Sequence, residues 1–175
     1  MVINGDGTVT YTPAANYNGS DTITYTLSDG NGGTVTSTVA VTVTAVNDAP
    51  LAGAVAAQTT AEDTPVTVNL LNSASDPDGD TVTVSSASAA NGTVLINGDG
   101  TVTYTPAANY NGSDTITYTL SDGNGGTVTS TVSVTVTAVN DAPLAGNVTA
   151  TTDEDTPVTV NVLATATDAD GDTWQ

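Results

Sequence analysis

The sequence predicts an all-β protein built from antiparallel β-sandwiches in tandem. Apolar residues alternate with Thr, Ser and Asn along many short runs, and turn sequences rich in Gly, Asn and Asp separate these runs. Alternation with a period of two places the apolar side chains on one face of a strand. The same arrangement recurs after about 93 residues, which is the size of one small β-domain.

The repeat is visible as long duplicated segments. Residues 3–53 return as residues 96–146 with one change, from Ala40 to Ser133. A second segment, "AEDTPVTVNLLNSASDPDGDT", returns near the C-terminus as "DEDTPVTVNVLATATDADGDT". The chain therefore divides into three parts: the C-terminal half of one repeat at 1–46, a complete repeat at 47–139, and the N-terminal part of a third at 140–175.

We expect this chain to be a piece of a longer array. The two partial repeats are too short for each to bury a full core. Their strands are therefore expected to pair with strands of another molecule by domain swapping, or to aggregate through open edges.

The complete repeat supplies about seven short strands, each with one apolar face. No segment carries a convincing helical period, so the strands predict two packed antiparallel sheets of the immunoglobulin-like type. The apolar faces are Val66, Val68 and Leu70; Val82 and Val84; Val102 and Tyr104; Ile116, Tyr118 and Leu120; and Val132, Val134, Val136 and Ala138.

The net charge of the chain limits the kinds of partner that it can bind. It has 175 residues, 19 acidic side chains and no Lys, Arg or His, so its formal net charge at pH 7 is −19. Clustered carboxylates must then stay in water, take up protons or bind cations. Nucleic-acid binding and contact with anionic membranes are excluded, because both need basic side chains, and no apolar run is long enough to insert into a bilayer.

The residue types also predict that the protein is not an enzyme. Without His, Cys or Lys, the usual pairs of nucleophile and base cannot be formed. Two carboxylates can hydrolyse a glycoside only if one sits in an apolar pocket that raises its pKa. The acidic residues here fall in polar turns, linkers and strand ends, where they remain ionised.

Two Asp triplets are the candidate metal ligands. "DPDGD" places Asp76, Asp78 and Asp80 at alternate positions, and "DADGD" repeats this pattern with Asp168, Asp170 and Asp172. Loop carboxylates suit Ca²⁺, which accepts six to eight oxygen ligands in flexible geometry. The alternative is ordinary turn chemistry, because Asp and Gly are common turn residues. The spacing does not fit an EF-hand loop, since Gly at position six and Glu at position twelve are both missing.

The segment "AVNDAP" marks each repeat boundary, at Asn47–Asp48 and at Asn140–Asp141. Its Pro stiffens the link between repeats. The Asn and Asp side chains either cap a strand end or bind a metal that bridges two domains, and the sequence does not decide between these roles.

Together these motifs resemble those of bacterial cadherin-like repeats. The order "VNDAP", "AEDTP", "SDPDGD", "TLSDGNGG" and again "VNDAP" covers the whole chain. The resemblance implies that Ca²⁺ lies between consecutive domains. Its first implied ligand set is Asn47, Asp48, Asp76, Asp78 and Asp122, with Asp21 as a weak match. The second set is Glu62, Asn140, Asp141, Asp168 and Asp170, with Asp114 as a weak match, and Glu154 is the counterpart of Glu62 in the next repeat.

The resemblance also implies a role. Such repeats occur in large secreted adhesins at the bacterial cell surface, so we expect an extracellular spacer that calcium rigidifies and that serves cell adhesion and biofilm formation. Its partners would be neighbouring repeats, with surface glycans or partner adhesins as further candidates. The alternative is a calcium-dependent carbohydrate-binding module that uses Tyr17 and Tyr110 as an aromatic platform; each Tyr is otherwise expected to pack on a sheet edge.

Overall fold

A computed structural model describes residues 1–173, so the last two residues of the predicted third segment lie outside the described part. Within residues 1–173 the chain forms β-strands and no helix, which confirms the predicted all-β fold. The N-terminal segment contains β1 (Val2–Ile3), β2 (Val9–Thr10), β3 (Gly19–Ser28) and β4 (Thr34–Val43). The complete repeat contains β5 (Gln58–Ala61), β6 (Val66–Val68), β7 (Thr83–Ser88), β8 (Gly92–Ile96), β9 (Val102–Pro106), β10 (Gly112–Ser121) and β11 (Thr127–Thr137).

The complete repeat is a sandwich of two sheets. One sheet has the strand order β5-β11-β10-β7, and the other has the order β6-β9-β8. One pair departs from the predicted antiparallel pattern, because β5 runs parallel to β11 with Gln58 opposite Val134. The linkers enter at one end of the sandwich and leave at the other, so the first and last strands run in the same direction.

The apolar faces predicted from the alternation form the core of this sandwich. Val66, Val82 and Val84 pack against the core but are only partly buried. Ala138 is exposed, contrary to prediction, because β11 ends at Thr137 and the chain leaves the sheet there. Each fully buried Val, Leu or Ile side chain stabilises the fold by about 1.5–3 kcal/mol relative to the same side chain exposed to water. The core consists of Val68, Leu70, Val102, Tyr104, Ile116, Tyr118, Leu120, Val132, Val134 and Val136.

The two partial repeats keep local structure but have no closed core among residues 1–173. In the N-terminal segment, β3 and β4 form a ten-residue antiparallel hairpin, and β1 pairs with β2 over two residues. In segment 140–173 an isolated bridge joins Leu144 to Thr167, and it matches the bridge between Leu51 and Ser75 in the complete repeat. Large apolar side chains in both segments are exposed.

Candidate metal centres

The first Asp triplet converges because of its own turn. Gly79 has φ of 82°, a conformation that side-chain-bearing residues rarely adopt, and its N–H donates to the Asp76 carbonyl at 3.2 Å. The N–H groups of Asp78 and Asp80 donate to Oδ1 of Asp76 at 2.9 and 3.3 Å. One carboxylate oxygen from each of Asp76, Asp78 and Asp80 consequently lies within 4.8 Å of the other two.

The linker residue Asp48 contacts this triplet, as the resemblance implies. The N–H of Asp48 donates to Oδ2 of Asp78 at 2.7 Å, and Nδ2 of Asn47 donates to Oδ2 of Asp122 at 2.8 Å. The amide of Asn124 donates to Oδ2 of Asp80 at 2.7 Å and ties the β10–β11 turn to the triplet. We call Asn47, Asp48, Asp76, Asp78, Asp80 and Asp122 the first acidic cluster.

Asp122 is held ionised in this cluster. Its side chain is only 4% exposed, and its Oδ1 accepts hydrogen bonds from the N–H groups of Asn124 and Gly126 at 2.8 and 2.9 Å. The amide of Asn47 is the main cause that lowers the pKa of Asp122; burial opposes it, and the two backbone donors add to it. Residue 126 must be Gly here, because a Cβ would lie 2.1 Å from Oδ2 of Asp122.

The second Asp triplet repeats this geometry. The N–H groups of Asp170 and Asp172 donate to Oδ1 of Asp168 at 2.9 and 3.3 Å. One carboxylate oxygen from each of the three residues again lies within 4.8 Å of the other two. The N–H of Asp141 donates to Oδ2 of Asp170 at 2.7 Å, and the Asn140 amide donates to the Asp141 carbonyl at 2.9 Å.

Glu62, from the complete repeat, contacts the linker that leads to the second triplet. It follows β5, is 4% exposed, and accepts a short hydrogen bond from the N–H of Val139 on Oε1. Burial and the charges of Asp170, Asp63, Glu62 and Asp168, in that order, raise the pKa of Asp141. We call Glu62, Asn140, Asp141, Asp168, Asp170 and Asp172 the second acidic cluster.

Asp63 is a residue of this region that sequence reasoning missed. It adopts φ of 55°, and its Oδ1 accepts a hydrogen bond from the N–H of Asn109 at 3.2 Å. Its charge contributes to the raised pKa of Asp141. The signal that could have identified it was its position directly after Glu62 in the repeated "EDTP" motif.

Three buried carboxylate oxygens in the clusters have no hydrogen-bond partner within residues 1–173. They are Oδ2 of Asp76 in the first cluster, and Oε2 of Glu62 and Oδ2 of Asp141 in the second. A buried carboxylate without compensation is costly, and the sequence has no cationic side chain to supply it. Oxygen-only ligands on flexible loops fit Ca²⁺, whereas Zn²⁺ favours His and Cys ligands.

Glu154 is not brought to either cluster. It is exposed, and it lies in a turn equivalent to the one that carries Glu62. In the complete repeat Glu62 and the Asp76 triplet belong to opposite ends of the sandwich, since Glu62 contacts the outgoing linker and Asp78 the incoming one. By repeat position, Glu154 therefore belongs to the end of its repeat that is remote from Asp168.

Asp114, a weak match to the implied ligand sets, has a structural role instead. It is buried as the third residue of β10, contrary to the expectation that acidic residues avoid strand interiors. Its carboxylate accepts hydrogen bonds from the N–H groups of Ala90, Asn91 and Thr115 at 3.3, 2.9 and 2.7 Å, and from the Tyr104 hydroxyl at 2.9 Å. Burial alone would raise the pKa of Asp114, but these donors lower it. Both oxygens are therefore engaged inside the sandwich.

Asp21, the other weak match, has the equivalent position in β3. It accepts hydrogen bonds from the Tyr11 hydroxyl and its neighbouring Thr22 N–H, both at 2.7 Å. The Tyr11 hydroxyl is the main cause that lowers the pKa of Asp21, and the pairing raises the pKa of Tyr11 to about 12. Asp21 is therefore oriented toward its own hairpin.

The tyrosines considered as a sugar platform are engaged locally. The Tyr110 hydroxyl donates to the Ser113 carbonyl at 2.7 Å, and the Tyr17 hydroxyl donates to the Ser20 carbonyl at the same distance. Tyr110 also packs against the core. These contacts fit the expected packing of each ring on a sheet edge.

None of the residues in 1–173 belongs to a helix that could cross a membrane. Two domain families match the sequence. The cadherin-like domain matches residues 1–44 and 46–137, and the bacterial Ig domain matches residues 140–175. No match was found among curated proteins.

Several solved structures are similar to this chain at low identity. The protocadherin gammaB7 EC3-6 cis-dimer structure is 18% identical over 81% of this chain and 38% of that one, with a TM-score of 0.43. A nucleoside hydrolase-related hypothetical protein from Saccharophagus degradans is 22% identical over 54% of this chain and 26% of that one, with a TM-score of 0.41. The endo-fucoidan hydrolase MfFcnA4 is 21% identical over 73% of this chain and 20% of that one, with a TM-score of 0.38. The chain thus spans less than half the length of each of these three solved structures.

Proposed function

Because this chain belongs to the family of cadherin-like domains, we propose that its acidic clusters bind Ca²⁺ and that the bound ions hold consecutive repeats in line. Cadherin-like and bacterial Ig domains are typical of extracellular surface proteins and are typically non-enzymatic, so the chain is an extracellular repeat module. We further propose that the chain binds calcium and that it serves as a spacer in a large bacterial adhesin for cell adhesion and biofilm formation.

The unpartnered oxygens of Glu62 and Asp141 carry this proposal. Glu62 belongs to the complete repeat, Asp141 to the linker, and the neighbouring Asp168 and Asp170 to the following segment. An ion bound by these residues would therefore link two repeats through one set of contacts. Without it, the like charges repel, as the raised pKa of Asp141 indicates.

Calcium would act on the link between repeats rather than on the sandwich. Repulsion among carboxylates bends the link in the absence of the ion, and coordination converts the repulsion into bridging. Extracellular modules typically bind Ca²⁺ with Kd on the order of 10⁻⁴–10⁻³ M. Such sites fill in calcium-rich surroundings outside the cell and stay empty in the cytosol, so the array stiffens after secretion. Neighbouring repeats are then the principal partners, and surface glycans or partner adhesins are candidate targets of the whole array.

Calorimetric titration of Ca²⁺ into the full chain tests the binding. We expect Glu62→Gln to weaken binding at the second cluster at least about tenfold, because the substitution keeps an oxygen for the Val139 N–H but removes the charge. Asp99→Asn is the matched control, since Asp99 only closes the β8–β9 hairpin through Thr101 and should leave the titration unchanged. Equal titrations for the wild type and Glu62→Gln would contradict the assigned site.

Small-angle scattering tests the mechanical part of the proposal. The maximum dimension of the wild-type chain should be larger with Ca²⁺ than with chelator, and the difference should shrink in Glu62→Gln. A maximum dimension that is the same in both conditions would overturn the stiffening role even if calcium binds.

A further inference from the structure

The turn between β10 and β11 contains an Asn–Gly pair at Asn124 and Gly125. In such a pair the backbone nitrogen of the Gly can attack the side-chain amide of the Asn, because Gly has no side chain to hinder ring closure. The turn itself requires this pair, since Gly125 adopts φ of 110°, a conformation that residues with a side chain rarely adopt. The folded chain therefore keeps a chemically reactive dipeptide at this position.

Both reacting groups of this pair are accessible, because Asn124 and Gly125 are exposed. The neighbouring N–H groups, of Asn124 and Gly126, donate to Oδ1 of Asp122, whereas the N–H of Gly125 has no acceptor among the described residues. Within the same part of the chain, the Asn124 side chain is held only through its amide nitrogen, which donates to Asp80. The attacking nitrogen is thus free, and the carbonyl side of the amide is not engaged.

A second Asn–Gly pair, which begins at Asn97 in the β8–β9 hairpin, has different surroundings. The Asn97 side chain is half-buried, and its amide nitrogen donates to the hydroxyls of Thr101 and Thr103 at 2.8 and 3.0 Å. The hydrogen bond from the Asn124 amide to Asp80 is exposed to water, which can replace it. The structure thus favours reaction at Asn124 and hinders it at Asn97, although the two dipeptides are chemically the same.

We propose that Asn124 is a deamidation site, at which the folded chain converts its own amide into a carboxylate beside the first acidic cluster. The Gly125 nitrogen loses its proton to solvent base and forms a bond to Cγ of Asn124. The bond from Cγ to Nδ2 breaks, and the nitrogen leaves as ammonia after taking a proton from water. Water then opens the cyclic imide, which leaves aspartate or isoaspartate at position 124 and consumes no oxidant or reductant.

The position of Asn124 gives this reaction an electrostatic consequence. Its Nδ2 lies 2.7 Å from Oδ2 of Asp80, so an oxygen in its place would set two carboxylates within hydrogen-bond distance. The chain has no cationic side chain to separate them, so only a proton or a bound cation can compensate the charge. Aspartate at position 124 thus adds a ligand charge to the first acidic cluster and raises its affinity for Ca²⁺. This consequence rests on the proposed calcium function, whereas the deamidation itself does not.

The isoaspartate product alters the turn as well as the charge. It routes the backbone through the former side chain and so adds one carbon between positions 124 and 125. The N–H of Gly126, which contacts Oδ1 of Asp122 at 2.9 Å, is then displaced from that oxygen. Both products therefore change the first acidic cluster irreversibly as the chain ages.

Peptide mapping of the aged, folded chain tests the modification. Chymotrypsin cleaves after Tyr and Leu, so it releases residues 96–104 and 121–144, each with one Asn–Gly pair. After incubation at mildly alkaline pH, the mass gain of deamidation should accumulate in 121–144 at least about fivefold faster than in 96–104, because Asn97 must first break two part-buried hydrogen bonds. In urea the two rates should converge. The similar peptide 28–51 is distinguished by mass, since it carries Ala40 in place of Ser133.

Asn124→Gln is the matched control, because its longer side chain forms the cyclic imide far more slowly. It should remove the mass gain from 121–144 and leave that of 96–104 unchanged. A folded-state rate in 121–144 no higher than that in 96–104 would overturn the proposed modification, and so would a mass gain that persists in Asn124→Gln.

Calcium titration tests the consequence, with Asn124→Asp as a pure form of the aspartate product. In the Glu62→Gln background, which weakens the second cluster, adding Asn124→Asp should tighten Ca²⁺ binding at least about threefold, whereas adding Asn97→Asp should leave it unchanged. An unchanged affinity with Asn124→Asp would overturn the effect on the cluster. If no variant and no wild-type chain bound Ca²⁺, the calcium function would fail, while the peptide masses would still decide the deamidation.

Discussion

Strands β3–β4 and β10–β11 are two copies of one hairpin in different surroundings. Their sequences differ only at Ala40 and Ser133, and their registers are the same, with Gly19 opposite Val43 and Gly112 opposite Val136. The second copy faces the β6-β9-β8 sheet, and its apolar side chains are buried. The first copy has no second sheet among residues 1–173, and Leu27 and Val39 remain exposed.

The comparison separates what a hairpin does alone from what the sandwich adds. Turn chemistry and cross-strand pairing are local, so both copies have them. Burial depends on strands from distant parts of the chain, so only the copy in the complete repeat has it. Hydroxyl pairs on the outer face illustrate the local part: Thr26 contacts Thr36 at 2.9 Å, and Thr119 contacts Thr129 at 3.2 Å.

The largest difference should come from the same core deletion made in each copy. Leu120→Ala should lower the free energy of unfolding of the complete repeat by about 2–5 kcal/mol, because it leaves a cavity in a closed core. Leu27→Ala should change it by less than about 0.5 kcal/mol, because that side chain is exposed. Urea denaturation monitored by tyrosine fluorescence, at concentrations where the chain is monomeric, measures both.

Similar losses for the two variants would mean that residues 1–46 are covered in the monomer as well. Val35→Ala provides a further control, since Val35 is 60% exposed and should behave like Leu27.

A smaller difference should come from the buried carboxylate of each copy. Asp114→Ala leaves the Tyr104 hydroxyl and three backbone N–H groups without their acceptor, and we expect a loss of about 2–3 kcal/mol. Asp21→Ala frees only the Tyr11 hydroxyl and the Thr22 N–H, which water can reach, so the expected loss is under about 0.5 kcal/mol. The same denaturation experiment compares them.

The pH dependence of this effect has a definite sign. The pKa of Asp114 is lower in the folded protein than in the unfolded chain, so its stabilisation is present above the unfolded pKa and is lost as pH falls through the folded pKa. Asp114→Asn should therefore flatten the acid limb of the stability profile. If the acid limb of Asp114→Asn were as steep as that of the wild type, other carboxylates would be the cause of the acid sensitivity.

The smallest effect should be the same in both copies. Thr119→Ala and Thr26→Ala each remove one exposed cross-strand hydroxyl pair, which contributes roughly 0.2–1 kcal/mol. Hydrogen exchange of the amides in each hairpin should show equal local losses of protection. A clearly larger loss in one copy would show that the outer face depends on the covering sheet.

Much of the fold follows from the printed sequence because its signals are local. Period-two alternation identified the core faces of β6, β9, β10 and β11, and the "DPDGD" and "DADGD" turns predicted which aspartates converge. Three outcomes were not predictable in this way: the parallel pairing of β5, the exposure of Ala138, and the structural role of Asp114. Each depends on where the linkers and the loop before β8 lie in three dimensions.

The sequence by itself determined the strand faces, the hairpin registers and the two convergent Asp triplets, since these depend on residues close together in the chain. Only the tertiary structure decided which copy of the hairpin is buried and which carboxylates lack a partner. Glu62 and Asp141 are 79 positions apart in the sequence, yet the fold brings them close enough for the charge of Glu62 to help raise the pKa of Asp141. The physical reason is that turns and registers are local properties, whereas desolvation is set by whichever distant atoms displace the water.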